Sequence, residues 1–242
     1  MSIINGKIDR KTSQLIKRAL RSQVEMGTAD IVIDPVRIAA IRRELTANGK
    51  KKKAPRFRSL AQHESTICDC LKCPLGSTRT NFVYGVGNPG ANLLFIGEAP
   101  GREEDLQGYP FVGRAGQLLD KILAAIQFSR EDVYIANILK CRPPGNRDPQ
   151  PDEMQMCMPY LLEQVRIIRP KIICALGRIS AQALMQTTTP LGKLRRKWHN
   201  YHGIPFFVTY HPAALLRFPA YKRDVWEDMQ MLRAKYDELA RE

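Results

Sequence analysis

No apolar run in the 242-residue sequence approaches the ~18 residues that a membrane-spanning helix requires. The opening residues, MSIINGKIDRKTSQL, lack the apolar core of an export signal. These absences exclude a helical membrane protein and lead us to expect a soluble, cytoplasmic chain. Internal repeats and long low-complexity tracts are also missing, so a repeat architecture is excluded. Neither a dinucleotide fingerprint nor a phosphate-cradling P-loop occurs. Acidic residues are in short supply, 24 against 38 Lys and Arg, a formal net charge of +14.

That charge is uneven. Residues 1–60 carry 15 Lys and Arg against 5 Asp and Glu, a net +10, which leaves +4 for residues 61–242. Helical patterns with narrow apolar stripes cover Ser13–Met26 and Pro35–Ala47, and a lysine run with Pro55 then breaks the chain. The length suits one full core with something appended. We therefore read 1–60 as a basic, partly helical or disordered extension on a domain spanning 61–242. Its charge favours a polyanion as partner, nucleic acid over a merely solvated tail, although charge alone does not separate DNA from RNA or anionic lipid; a protein contact through the apolar stripes is the alternative.

Four apolar runs read as strands: Asn92–Ile96, Val133–Leu139, Lys171–Leu176 and Pro205–Tyr210. Helical patterns at Gly116–Ile126, Glu153–Ile168, Ile179–Met185 and Asp224–Leu239 alternate with them or close the chain. Strands joined by helical crossovers predict an α/β fold with a mainly parallel, four-stranded sheet covered on both faces. Polar groups stand at the strand ends: Glu98, Asn137, Gly177-Arg178 and His211. Singly, an Asn or a His is most simply structural. Four convergent ends along one sheet edge are where α/β proteins bind ligands.

The stretch LLFIGEAPGREEDLQGYPFVGRAG, residues 93–116, runs from a strand into a loop with five glycines, four carboxylates and one exposed-looking aromatic, Phe111. Six cysteines without an export signal argue against a disulfide framework. Cys174 lies in an apolar run and reads as core. Cys70 and Cys73 form a C-x2-C pair, and Cys141 and Cys157, 16 positions apart, complete a four-thiolate set. Cys68 offers a rival C-x-C pairing. Zinc and iron–sulfur remain equally open on spacing.

Three segments, GEAPGREEDLQGYPFVGRAG, NILKCRPPGNRDPQPDE and TYHPAALLR, together resemble the family 4, iron–sulfur uracil-DNA glycosylases. CLKCPLGSTR agrees, and the resemblance covers about residues 64–240. It implies a three-layer α/β/α sandwich and a [4Fe–4S] cluster held by Cys70, Cys73, Cys141 and Cys157, with Cys68 and Cys174 as bystanders. The implied activity is hydrolysis of the N-glycosidic bond of deoxyuridine in single- or double-stranded DNA, which starts base excision repair. A monomer is the expected state.

The residues suit that chemistry. Gly97, Glu98, Ala99, Glu104, Phe111, Asn137 and His211 would surround an extruded uracil. Phe111 offers a stacking face. Asn137 can donate and accept, as uracil O4 and N3–H require and cytosine does not. His211 is placed to stabilise charge developing at O2, and a neutral imidazole suffices. Ala99 stands where the best-known uracil glycosylases carry a catalytic Asp, so Glu98 and Glu104 compete for the water-activating role.

For DNA contact, the basic, aromatic-bearing KLRRKW contains Arg195 and Arg196. In HPAALLR, Leu216 could wedge into the vacated stack while Arg217 meets phosphate. A non-catalytic or covalent uracil-DNA binder and a glycosylase of broader deaminated-base range are the rival readings. The covalent relatives carry a His-bearing insertion after the second strand, and KCRPPGNRDPQ has none.

Overall fold

The structure, a computed structural model, describes residues 57–241. The helices expected at Ser13–Met26 and Pro35–Ala47 lie outside the described residues. No helix among the described residues is long and apolar enough to cross a membrane.

The domain opens with α1 (Leu60–Ile67), capped by Ser59, whose hydroxyl accepts from the Gln62 N–H at 3.2 Å. The short α2 (Leu75–Thr78) and the strand β1 (Val86–Gly87) lead into β2 (Leu93–Gly97). Then come α3 (Arg102–Gln107), α4 (Arg114–Ala125), β3 (Tyr134–Asn137) and α5 (Pro151–Ile168). The chain continues through β4 (Ile172–Leu176), α6 (Arg178–Met185), α7 (Leu191–Leu194), β5 (His199–Tyr201) and β6 (Ile204–Thr209). It ends with α8 (Pro212–Arg217) and α9 (Tyr221–Ala240).

The strand order is β1-β3-β2-β4-β6-β5. The four inner strands are parallel and are the four that the apolar runs predict. Among the described residues six strands, not four, make the sheet, because β1 and β5 add antiparallel edges. Those edges are two and three residues long and carry no apolar run, so periodicity misses them.

Alternate residues of β2 explain the layering. Leu93 and Phe95 join a core with Leu119 and Leu123 of α4 and Val225, Met229 and Leu232 of α9. Leu94 and Ile96 face the opposite core, with Leu60, Ile67, Leu161, Val165 and Leu184. With both faces covered, every residue of β2 and β4 is buried, so the run reads as continuously apolar rather than alternating. The three-layer α/β/α architecture follows. The order reverses around β2, and the carboxyl ends of β2, β3, β4 and β6 open on one crevice, the usual ligand position in such sheets.

Candidate active site

Gly97 and Asn137 are register partners at the ends of β2 and β3. The two segments stay hydrogen-bonded just past the ladder, where the Ile138 and Leu139 N–H groups donate to the Gly97 and Glu98 carbonyls at 3.1 and 3.0 Å. A Cβ on Gly97 would lie 2.3 Å from Asn137 Oδ1 and 2.7 Å from Phe111 Cζ. Only glycine lets these side chains meet above the strand. Asn137 is 2 % exposed, and its Oδ1 has no hydrogen-bond partner among the described residues. Leaving a buried carbonyl oxygen unpaired costs about 1–3 kcal/mol, so the amide is poised for a partner that the fold does not supply.

Phe111 covers this amide. It is buried rather than exposed, and its ring stacks on His211 with centroids 5.3 Å apart and planes 30° apart. Its backbone is left-handed at φ 55°, unusual for a residue with a side chain. Neighbours hold it there. Gly116 lies so close that a Cβ would meet the Phe111 carbonyl, and Arg130 donates to the Phe111 and Pro110 carbonyls while pairing with Asp120 at 2.6 Å.

Glu104 is the other clamp. Its Oε1 accepts from the Val112 and Gly113 N–H groups, each at 2.9 Å, and its Oε2 from Gly101 N–H at 3.1 Å. One carboxylate thus closes both ends of the glycine-rich loop. With both oxygens accepting from backbone N–H groups, Glu104 is placed to hold the loop that carries Phe111. Glu104→Ala should lower kcat/KM about tenfold or more, the scale of losing hydrogen bonds to a charged group. Its pH–rate profile should keep the wild-type shape. A vanished acidic limb would instead make Glu104 the base.

His211 caps α8. Its Nδ1 accepts from the Ala213 N–H at 3.1 Å, so the neutral ring carries its proton on Nε2 as a donor. Burial holds the imidazole down at about 4, and Arg217 pushes the same way, so the ring is neutral at working pH. Gly177, at φ 97°, makes room for it, since a Cβ there would sit 2.9 Å from His211 Cβ.

Glu98 is half-buried at the tip of β2. Burial pushes its carboxyl up to about 7, the charge of Asp148 adds to the rise, and Arg178 and Arg217 oppose it. Asp148 and Arg178 are themselves ion-paired at 2.9 Å. The loop carrying Asp148 is anchored by Glu153, which accepts from Arg147 at 2.6 and 2.9 Å and from the Gln150 N–H at 2.8 Å. Sequence reading missed Arg130, Asp148 and Glu153. Glu153 at the third position of α5 after Gln150 is the one with a signal, a helix-capping box.

The cysteines gather behind Asn137. Lys140, fully buried, donates from Nζ to the Asn137 carbonyl at 2.8 Å and to Gln164 Oε1 at 2.6 Å. Its own N–H points at Cys157 Sγ, 3.3 Å away. Arg79 donates to Cys141 Sγ at 3.4 Å and to the Cys70 carbonyl at 2.6 Å, and the Tyr160 hydroxyl donates to Cys70 Sγ at 3.1 Å. Cys141 feels the charge of Cys70 and Cys73, and Cys157 that of Cys141 and Cys73. Among the described residues no three His, Cys, Asp or Glu are close enough to share a single metal ion. Three of these sulfurs, those of Cys70, Cys141 and Cys157, receive hydrogen-bond donors, a surrounding that suits thiolates ligating a larger group. Cys174 is buried in β4 beside Phe95 and Phe207.

The surface cations divide. Arg195 is a correction: it is 7 % exposed, its Nε and Nη2 bind Asp228 at 2.9 and 2.8 Å, and its guanidinium lies 4.0 Å over Tyr210. A guanidinium held in the interior is unavailable to phosphate. Arg196 is exposed and pairs with Glu227, while Leu216 and Arg217 stand exposed on α8, the helix that His211 begins.

The sequence model of the Uracil DNA glycosylase superfamily matches residues 84–230, which include Gly97, Glu98, Phe111, Asn137 and His211. A type-4 uracil-DNA glycosylase of Archaeoglobus fulgidus is 45 % identical over 174 residues, covering 69 % of this chain and 87 % of that protein. The type-4 enzyme of Saccharolobus solfataricus is 47 % identical over 173 residues, 68 % of this chain and 80 % of its own. Identity falls to 31 % over 147 residues, 53 % of this chain and 64 % of that protein, for a type-5 uracil-DNA glycosylase of Pyrobaculum aerophilum. With a carboxylate, an amide and an imidazole at three strand ends and a Phe ring from the glycine-rich loop over them, all inside the matched region, the chain belongs to the uracil DNA glycosylase superfamily.

Proposed function

We propose that the protein removes uracil from DNA as a type-4 uracil-DNA glycosylase, extruding deoxyuridine and hydrolysing its N-glycosidic bond. The unpartnered Asn137 Oδ1, buried above Gly97 and under Phe111, carries this reading. Among the described residues it is an acceptor without a donor, and uracil N3–H is a donor. The amide nitrogen of the same group donates to O4. Extruding the base costs a few kcal/mol of unstacking. Contact with the Phe111 ring returns roughly 1–3 kcal/mol.

As the C1′–N1 bond breaks, its electron pair goes to the base, and the charge spreads to O2. His211 Nε2–H stabilises it there, a donor aimed where charge develops. Ionised Glu98 orients a water whose oxygen bonds C1′ and takes its proton. Leu216 fills the vacated stack and Arg217 meets phosphate. Cys70, Cys73, Cys141 and Cys157 would hold a [4Fe–4S] cluster, which supplies a structural clamp between the segment after α1 and the β3–α5 region. Release of free base from single- and double-stranded oligonucleotides containing uracil, hypoxanthine or xanthine tests the assignment. Uracil alone should be released, and an inert uracil substrate would refute the reading.

A second consequence follows from Glu98. If the ionised carboxylate is the working form, kcat/KM should rise with pH through about 7 and then level off. Glu98→Gln should abolish that limb and lower the rate roughly 10²–10⁴-fold, the usual worth of a positioned base. Stability should move the other way. The folded state binds this proton more tightly than the unfolded chain does, so the wild type loses stability as pH rises towards and through about 7. Glu98→Gln should therefore melt above the wild type at pH values above that and converge with it in acid. Parallel melting curves at every pH would separate Glu98 from the proposed role.

A further inference from the structure

Aromatic side chains are stacked outward from the buried Arg195 to the surface. The guanidinium lies 4.0 Å over Tyr210, Tyr210 stacks on Tyr221 at 4.2 Å and 4°, and Tyr221 meets Phe218 at 5.7 Å and 51°. Phe218 ends the series and is 56 % exposed. Nothing in the core explains a large apolar ring held there. Its backbone is held on both sides: its N–H donates to the Ala214 carbonyl at 2.8 Å and its carbonyl accepts from the Tyr221 N–H at 3.1 Å. The ring is therefore presented by a fixed turn between α8 and α9, so little ordering remains to be done when it is covered.

Its surroundings point to the occupant. Phe218 directly follows Leu216 and Arg217, on the helix that His211 opens, and Tyr210 precedes His211. Lys222 and Arg223 are exposed at the start of α9. An exposed aromatic flanked by cations fits a polyanion that carries flat faces, which is single-stranded nucleic acid; an apolar protein partner would have to desolvate those cations.

We propose that Phe218 is a stacking platform for the nucleobase next to the extruded deoxyuridine on the same strand. The inference rests on the uracil-DNA reading above and extends it to the flanking nucleotide. The buried stack makes the platform rigid, and Arg217 and Lys222 hold the strand's phosphates, with Arg223, paired with Glu227 at 3.4 Å, beside them. Stacking on a ring is tolerant of sequence, so the platform adds affinity for single strands without choosing among neighbours.

The test uses single-stranded oligonucleotides in which uncleavable 2′-fluoro-deoxyuridine is flanked, on one side or the other, by the fluorescent base 2-aminopurine. The full-length wild type should quench the fluorophore on one side. Phe218→Ala should abolish that quenching and weaken binding roughly tenfold, the worth of one stacked base. Phe218→Trp should restore both, which a merely structural change would not do. Unchanged quenching and affinity in Phe218→Ala, or wild-type binding without quenching on either side, overturns the proposal. Release of uracil from unlabelled duplex is measured alongside. Normal release with no Phe218 effect sinks the platform alone, whereas absence of release and binding sinks both readings.

Discussion

Replacing Asn137 by aspartate should lower kcat/KM on uracil-containing DNA by at least ~10²-fold, the scale of leaving buried polar groups mispaired against a ligand. The substitution keeps the shape of the side chain and removes its donor. A carboxylate can no longer give a hydrogen bond to uracil O4. It would also be buried between Gly97 and Phe111, close to a base that gains negative charge as the bond breaks. Like charges in a dry site raise the barrier further. Binding of the free base should weaken together with turnover, because the amide contacts ground state and transition state alike. The measurement is steady-state cleavage of uracil- and cytosine-containing strands by wild type and variant. Near-normal uracil cleavage by Asn137→Asp would make Asn137 a structural residue of β3 and remove the proposed reading of the base.

The placement of Asn137 at the end of an apolar strand, and of Glu98 and His211 just past theirs, was legible because polar residues break or follow apolar runs at the end where α/β sheets bind ligands. The four parallel strands announced themselves through burial on both faces. What stayed hidden depends on partners distant in sequence. Glu104 looked like a catalytic carboxylate, and its chemistry alone does not say that three backbone N–H groups will occupy it. Arg195 sits in a basic run and looked like a DNA contact. Its fate is decided by Asp228 on α9, 33 residues onward, and Thr209 shares the same carboxylate at 2.6 Å. The only trace in sequence is the pair Asp224 and Asp228 beside Val225, Met229 and Leu232, which places acids on the buried stripe of that helix. Phe111 looked exposed among glycines. Those glycines are there to let the ring be covered, because Gly97 and Gly116 leave the space that its ring and backbone fill.

Cys157→Ala should cost the protein its iron, its brown colour and its cooperative fold together, and Cys70→Ala should do the same. Anaerobically purified wild type should carry about four irons per chain, as a cluster held by four thiolates requires. The expected loss is large because metal and fold are coupled. Binding of a structural metal can contribute on the order of 10 kcal/mol, comparable to the whole stability of a domain. The geometry makes the coupling specific. Cys70 and Cys73 lie between α1 and α2, whereas Cys141 follows β3 and Cys157 lies within α5, so the thiols join segments far apart in the chain. Lys140 connects that junction to the active site through the Asn137 carbonyl, so activity should fall with the metal. Cys68→Ala is the control. Among the described residues its thiol donates only to the Ser65 carbonyl, at 3.7 Å, and iron content and melting temperature should stay at wild-type values. Iron analysis, absorbance and thermal melts of the four proteins decide the matter. A colourless, fully active wild type with one equivalent of zinc would replace the cluster by a mononuclear site and leave the fold and the reading of Asn137 untouched.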